Sequence, residues 1–293
     1  MKLVLGRDDL ANAAISAAAE GFGVEVERVD VRPVHNASGG FVNEQTVDVC
    51  EVAIVTMLQA ACYDKPVVLL PITSLGRYQH QTLVTIGDWS VDDIEGRSVG
   101  VRSWSQTTGV WVRGFLSEQY GVDLHKVNWQ VYEGSHVAEY ADPSWVRRAA
   151  DGAVLQQDFL TGRLDFGIMG NELPKDERIR PAIANVAEVA EAWAAAKGFA
   201  PINHVLAVST TAAREYPEVI CAMYDAMSRV LAAEPATGPV PLCPTGFDRL
   251  RGPLSLAAQF AAEQEVLSRK VSFGELAEQT CAALGVPPGR LGG

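Results

Sequence analysis

The sequence predicts an α/β fold in two lobes, on three observations. Short apolar segments alternate with helical segments of roughly ten to fifteen residues over most of the chain. The stretch "PVVLLPIT" (66–73) is continuously apolar, the pattern of a strand covered on both faces. From Thr210 onward the pattern is helical with few strands, so this tail completes an earlier layer. The chain is expected to leave the first lobe near Asp88 and to return near Pro201. Lobe one then comprises residues 1–87 and 199–293 and carries both termini, and lobe two, residues 88–198, is inserted.

Each element has its own signal. "KLVLG" reads as a short buried strand, and "LANAAISAAAE" as an Ala-rich helix closed by Gly21 and Gly23. "VEVERVDV" alternates as a strand does, and "VHNASGGFVNEQ" reads as a Gly-rich loop. "TVDVCEVAI" is a strand, followed by the helix "VTMLQAACYD", the buried strand "PVVLLPIT" and the strand "HQTLVTI". After "DWSVDDIEGRSVGV", the segment "NWQVYEG" is a strand, and "GAVLQQDFLTGRLDFGIMG" is helix, Gly turn and buried strand. "EVAEAWAAAKGFA" is helical, "NHVLAVS" is a strand, and the closing helices are broken by "EPATGPVPLCPTG". There is no internal repeat.

Composition narrows the partners. The 293 residues suffice for one large domain or two medium ones. A net charge of −12 speaks against nucleic acid or an anionic membrane surface as the main partner. It leaves room for a small anion, because a pocket can be locally positive in an acidic protein. No run reaches the roughly 18 apolar residues of a membrane span. "MKLVLGRDDL" lacks the longer apolar core of a signal peptide, so a cytoplasmic protein is expected. The five cysteines are scattered without a CxxC pair and are expected to be reduced, mostly buried thiols. The five histidines show no HxH or HExxH spacing, so no metal is expected.

The stretch "VRSWSQTTGVWVRGFLSEQYGVDL" (101–124) is the richest in chemistry. Ser103, Ser105, Gln106, Thr107 and Thr108 lie between a strand and a helix, where hydroxyls can cap the helix. Free N–H groups and the helix dipole favour a carboxylate or phosphate at such an end. Arg113, among apolar residues in "VWVRG", is either a snorkelling side chain or a bidentate carboxylate clamp. Arg77 and His80 form "RYQH" ahead of a strand, and His204 opens the strand in "PINHVLAV". Glu51, in "VDVCEVAI", is a carboxylate in a buried strand and needs a partner there. His35 and His136 sit in loops, where most histidines are merely exposed, though they could tailor substrate choice.

Four segments together resemble the 4,5-dihydroxyphthalate decarboxylase family. They are "TVDVCEVAIVTML", "PVVLLPITSLGRYQH", "DIEGRSVGVRSWSQTTGVWVRGFLSEQYGVDLHKVNW" and "FAPINHVLAV", and the similarity spans roughly residues 1 to 230. The loops "HNASGGF" and "EGSHVAEYADPSW" depart from the family's wording. The resemblance implies a two-lobed fold like the type 2 periplasmic binding proteins, with a ligand cleft between the lobes. It also implies a cofactor-independent, non-oxidative decarboxylase acting on a hydroxylated aromatic carboxylic acid such as 4,5-dihydroxyphthalate or a related aryl diacid. In that reading His204 or His80 donates a proton, and Glu51 or the other histidine accepts one. Arg77, Arg113 and the Ser105–Gln106–Thr107–Thr108 turn hold the carboxylate, with both arginines pointing into a locally positive cleft. The rivals are a solute-binding protein or small-molecule sensor of the same fold, and another lyase on the same scaffold. A small aromatic carboxylate is the expected partner, and a homo-oligomer is left open.

Overall fold

The computed structural model describes residues 1–235 and 237–293. The break "EPATGPVPLCPTG" includes Ala236, which lies outside the described residues. The chain begins with strand β1 (Lys2–Val4), helix α1 (Asp8–Phe22), strand β2 (Glu27–Arg28) and helix α2 (Ser38–Glu44). It continues with β3 (Val49–Ala53), α3 (Ile54–Cys62), β4 (Val67–Gly76) and β5 (Leu83–Thr85). Next come β6 (Ser98–Val101), α4 (Thr107–Tyr120), β7 (Asn128–Val131), β8 (Arg147–Arg148), α5 (Leu155–Leu160), β9 (Phe166–Ile168) and β10 (Arg180–Pro181). The last elements are α6 (Val186–Lys197), β11 (Ile202–Ser209), α7 (Thr210–Glu215), α8 (Pro217–Ala232), α9 (Phe247–Glu263) and α10 (Phe273–Leu284).

Two sheets form. The first has the order β2-β1-β3-β11-β4, and the second β10-β5-β9-β6-β7-β8. The ten-residue β4 is almost wholly buried, as its apolar run requires. β11 enters the first sheet antiparallel between β3 and β4, so the returning chain closes lobe one.

The expected lobe boundary shifts. β5, assigned to lobe one by the sequence, hydrogen-bonds instead to β9 in the second sheet, with Leu83 opposite Ile168. The first crossing therefore lies at residues 77–82, ahead of Asp88. A three-residue strand fits either sheet, and pairing partners are not written in its pattern. The strand β11 that joins the first sheet starts at Ile202. The loop read over 34–45 contains helix α2, which buries Phe41 and Val42. The strand read over 24–31 shortens to Glu27–Arg28.

Close backbone approaches fix the seams. A Cβ on Gly76 would lie 1.8 Å from the Leu242 carbonyl oxygen, so β4 can pass under that loop only as glycine. A Cβ on Gly114 would lie 2.0 Å from the Phe260 ring, which is how α9 seats on α4. Helix α9 also touches α3 of the first lobe, and one continuous apolar core runs through both lobes.

Candidate active site

Between the sheets is a cavity of about 320 Å³. Ala53, Leu75, Arg77, Arg102, Ser103 and Glu133 reach it from the carboxyl ends of β3, β4, β6 and β7. Asn203 and His204 reach it from β11. Ligands of open α/β sheets collect at such strand ends. The volume suits a small molecule about the size of a substituted benzene.

His204 and Glu51 meet at the cavity wall. His204 lies opposite Ala53, and Leu206 lies opposite Glu51, so Glu51 and His204 share one face of neighbouring strands. The β11–β4 pairing shifts register on both sides of His204, an irregularity of the kind that re-aims a side chain beside a site. His204 Nδ1 is 2.6 Å from Glu51 Oε1, and the Gly6 N–H donates to Glu51 Oε2 at 2.8 Å. Burial pushes the Glu51 carboxyl up, but the bond and charge of His204 and the Gly6 N–H outweigh it, so it sits below its ordinary range. An ionised Glu51 fixes the proton of His204 on Nδ1 and leaves Nε2 for the cavity that the ring lines.

Two helix starts open on the same space. The residue preceding α3 is Ala53 and that preceding α4 is Gln106; neither side chain caps its helix. The hydroxyls expected to cap α4 are engaged elsewhere. Ser103 Oγ and Ser105 Oγ bond each other at 3.1 Å, and Thr107 Oγ1 accepts from the Val55 N–H of α3 at 3.2 Å. First-turn N–H groups of α4 thus remain for an anion, where the helix dipole favours one. Ser105, Gln106, Thr107 and Thr108 all line the cavity.

Charged side chains balance around this core. Arg77 donates from Nη1 to Asn171 Oδ1 at 2.6 Å, and its Nε is buried without a protein partner. Arg102 donates from Nη1 to His35 Nε2 at 2.7 Å and lies 3.7 Å from Glu133. Gln106 donates to Glu172 at 3.2 Å. With Arg77 and Arg102 facing Glu133 and Glu172, the formal charges cancel. The locally positive cleft expected from the sequence is absent on this count, and the positive character comes from the helix ends.

His35 and His136 also line the cavity, with ring centroids 6.2 Å apart and planes 25° from parallel. His136 Nδ1 is 3.0 Å from Thr56 Oγ1. Burial first, then the charges of Arg102 and the neighbouring histidines, pull His136 down to about 4. His35 is lowered by burial and by Arg102.

Two residues put forward by the sequence lie elsewhere. His80 is fully buried, bonded through Nε2 to Gln119 at 2.8 Å and stacked on Phe115 at 4.0 Å. It is outside the cavity lining because the turn before β5 faces helices α4 and α6. Arg113 is also fully buried. It donates from Nε to Gln264 at 2.7 Å, bonds the Trp104 carbonyl, and covers the Trp104 ring at 3.6 Å. Burial lowers its guanidinium to about 9. Arg102, which the sequence reading missed, lines the cavity instead, engaged by His35 and Glu133. Its signal was available: it directly follows a strand and precedes the Ser103–Thr108 turn. Among the described residues no group of three or more His, Cys, Asp or Glu side chains is arranged to hold a metal ion.

No protein-family model matches the chain. It is similar to the 4,5-dihydroxyphthalate decarboxylase of Comamonas testosteroni, 26% identical over 192 residues, covering 58% of this chain and 56% of that protein. It is also similar to the 4,5-dihydroxyphthalate decarboxylase of Pseudomonas putida, 27% identical over 86 residues, covering 28% of this chain and 33% of that protein. The chain thus matches little more than half the length of the first relative and a third of the second. In structure it is similar to the alkanesulfonate-binding protein SsuA from Xanthomonas axonopodis pv. citri, with a TM-score of 0.51, 11% identity and coverage of 94% of this chain and 96% of that one. It is similar as well to the desulfurization enzyme DSZB, with a TM-score of 0.50, 16% identity and coverage of 97% and 99%. These structural likenesses show the fold alone. The chain therefore has the two-lobed fold of the type 2 periplasmic binding proteins, and the curated relatives it resembles in sequence are named 4,5-dihydroxyphthalate decarboxylase.

Proposed function

We propose that the protein is a non-oxidative, cofactor-independent decarboxylase of a hydroxylated aromatic carboxylic acid bound in the interlobe cavity. The observation that carries this is the His204–Glu51 pair opening onto a space that also holds Arg77 and the uncapped start of α4. Direct loss of CO2 from an aryl acid would leave an unstable aryl anion, and a hydroxyl ortho or para to the carboxylate avoids it. His204, as imidazolium held by the Glu51 carboxylate, gives its Nε2 proton to the ring carbon bearing the carboxylate. The hydroxyl proton leaves to a neutral base, and the ring becomes a dienone. The carbon–carbon bond to the carboxylate then breaks, and its electron pair restores the aromatic ring as a phenolate. That phenolate takes back the proton from the base, so the net change is one proton consumed and one CO2 released. Arg77 and the α4 N–H groups hold a second carboxylate and orient the ring.

All five cysteines are unpaired, in keeping with a reducing compartment, and the reading places the reaction in the cytoplasm. No helix among the described residues is long and apolar enough to cross a membrane. The alternative is a solute-binding protein or sensor without chemistry. It is favoured by the uncapped start of α4, which suffices to hold an anion. Incubation with 4,5-dihydroxyphthalate and other hydroxylated aromatic acids, following CO2 release beside ligand affinity, separates the two. Turnover with a protonated ring product is expected. Tight binding with no CO2 from any acid would assign the protein to the binders.

A further inference from the structure

We propose that His35 and His136 form a subsite that reads an uncharged phenolic hydroxyl on the bound ring, and so set the substrate class within the cavity. This rests on the reading of the cavity as the site of a hydroxylated aromatic acid.

The geometry fixes what each ring can offer. A guanidinium has no acceptor capacity, so the 2.7 Å contact from Arg102 Nη1 makes His35 Nε2 an acceptor. The His35 proton must then lie on Nδ1, and His35 presents an N–H donor. His136 is tied through Nδ1 to Thr56 Oγ1 at 3.0 Å. A hydroxyl can donate or accept, so the Thr56–His136 pair can present Nε2 either as acceptor or as donor. Side by side, one fixed donor and one adaptable nitrogen match a hydroxyl, which must both accept and give a hydrogen bond.

Charge argues the same way. Arg102 is shared with His35 and Glu133, and Arg102 together with burial keeps both imidazoles neutral near pH 7. A carboxylate placed here would find no free cation, whereas Arg77 and the start of α4 supply one elsewhere in the cavity. A neutral imidazole is also the base that the dienone step needs for the hydroxyl proton. Both histidines come from the loops "HNASGGF" and "EGSHVAEYADPSW", the two whose wording departs from the family pattern.

The loop that carries His136 has anchors besides that side chain. Asn43 Nδ2 donates to the main-chain oxygen of His136 at 2.8 Å, and Ser135 Oγ donates to Gln59 at 2.7 Å. Substituting the His136 imidazole therefore tests recognition with its loop still seated.

The experiment is calorimetric titration of the full chain with phthalate, 4,5-dihydroxyphthalate and 4,5-dimethoxyphthalate, with CO2 release followed in parallel. Wild type is expected to hold the dihydroxy acid at least about tenfold tighter than either analogue, because a site built for a hydroxyl rejects ligands lacking one. His136→Leu and His35→Leu should bring that ratio towards one while leaving phthalate affinity unchanged, and His136→Gln should recover part of the ratio. An unchanged ratio in both Leu variants overturns the subsite and leaves the proposed function standing. A ratio that collapses in the Leu variants, when wild type itself releases no CO2 from any acid, keeps the subsite and sinks the decarboxylase. If none of the three acids binds wild type, both fall.

Discussion

The cavity wall and the core beneath helix α4 each hold a histidine and an arginine that the sequence put forward together. His204 meets a carboxylate at the cavity, whereas His80 lies flat on Phe115 with its Nε2 on a neutral amide. Arg77 keeps a guanidinium edge in the cavity, whereas Arg113 is sealed over Trp104 and tied to Gln264. The partner decides the role. A titratable ring beside an ionised carboxylate can cycle a proton, and one stacked on an aromatic ring serves packing. A family-like run of residues such as "VWVRG" can therefore mark a seam of the fold as readily as a site: Arg113 and Gly114 are what α9 packs against.

Substitutions can break or sharpen this contrast. The largest effect is expected at His204. His204→Asn should keep the melting temperature and most ligand affinity while lowering CO2 release by about 10²–10⁴-fold. Near-normal turnover would dissolve the distinction between the two histidines. Next, Arg113→Ala should destabilise the chain by about 3–5 kcal/mol, because it strands the buried Gln264 and Trp104 acceptors and removes the stacked cation. Denaturant unfolding measures it, and a loss of affinity without a loss of stability would return Arg113 to the ligand. Arg77→Lys should leave stability nearly unchanged and weaken binding of an aromatic diacid by about 1.5–3 kcal/mol, as one charge-assisted bond is lost. Titration calorimetry is the check.

The smallest effect concerns pH. An unfolded chain protonates His136 as the pH falls through about 6.5. The folded protein resists until about 4, so folding stability should decline across that interval. His136→Gln should flatten this part of the stability–pH curve by about 1–3 kcal/mol, read from denaturant midpoints between those limits. An unchanged slope would mean that His136 takes up its proton as readily in the folded protein as in the unfolded chain, and that its surroundings do not hold it neutral.

Much of this was legible in the residues. The apolar run of β4, the alternation of elements and the return at β11 follow from hydrophobic pattern, because burial on two faces leaves no room for polar positions. Glu51 and His204 could be named separately, as a buried carboxylate needs a partner, but nothing in the spacing says that residues 153 positions apart become each other's. The short strand β5 was assigned to the wrong lobe because pairing is decided by tertiary contact, to which three residues give no clue. His35 and His136 read as exposed loop residues; a Gly-rich loop hides its docking until Asn43 and Thr56 are seen to hold the second loop down.

The seating of α9 across α3 and α4 has a mechanical consequence. In this fold a ligand could be admitted by swinging the lobes apart, but here a single apolar core continues from one lobe into the other. Phe260 fills the space left by Gly114, and the Thr107 hydroxyl links the first turn of α4 to that of α3. Opening would expose that aromatic seam to water, at about 25 cal/mol for each Å² uncovered. Ligand exchange should therefore run through the mouth of the cavity with the lobes nearly fixed. In small-angle scattering, the radius of gyration should be the same with and without a bound aromatic acid.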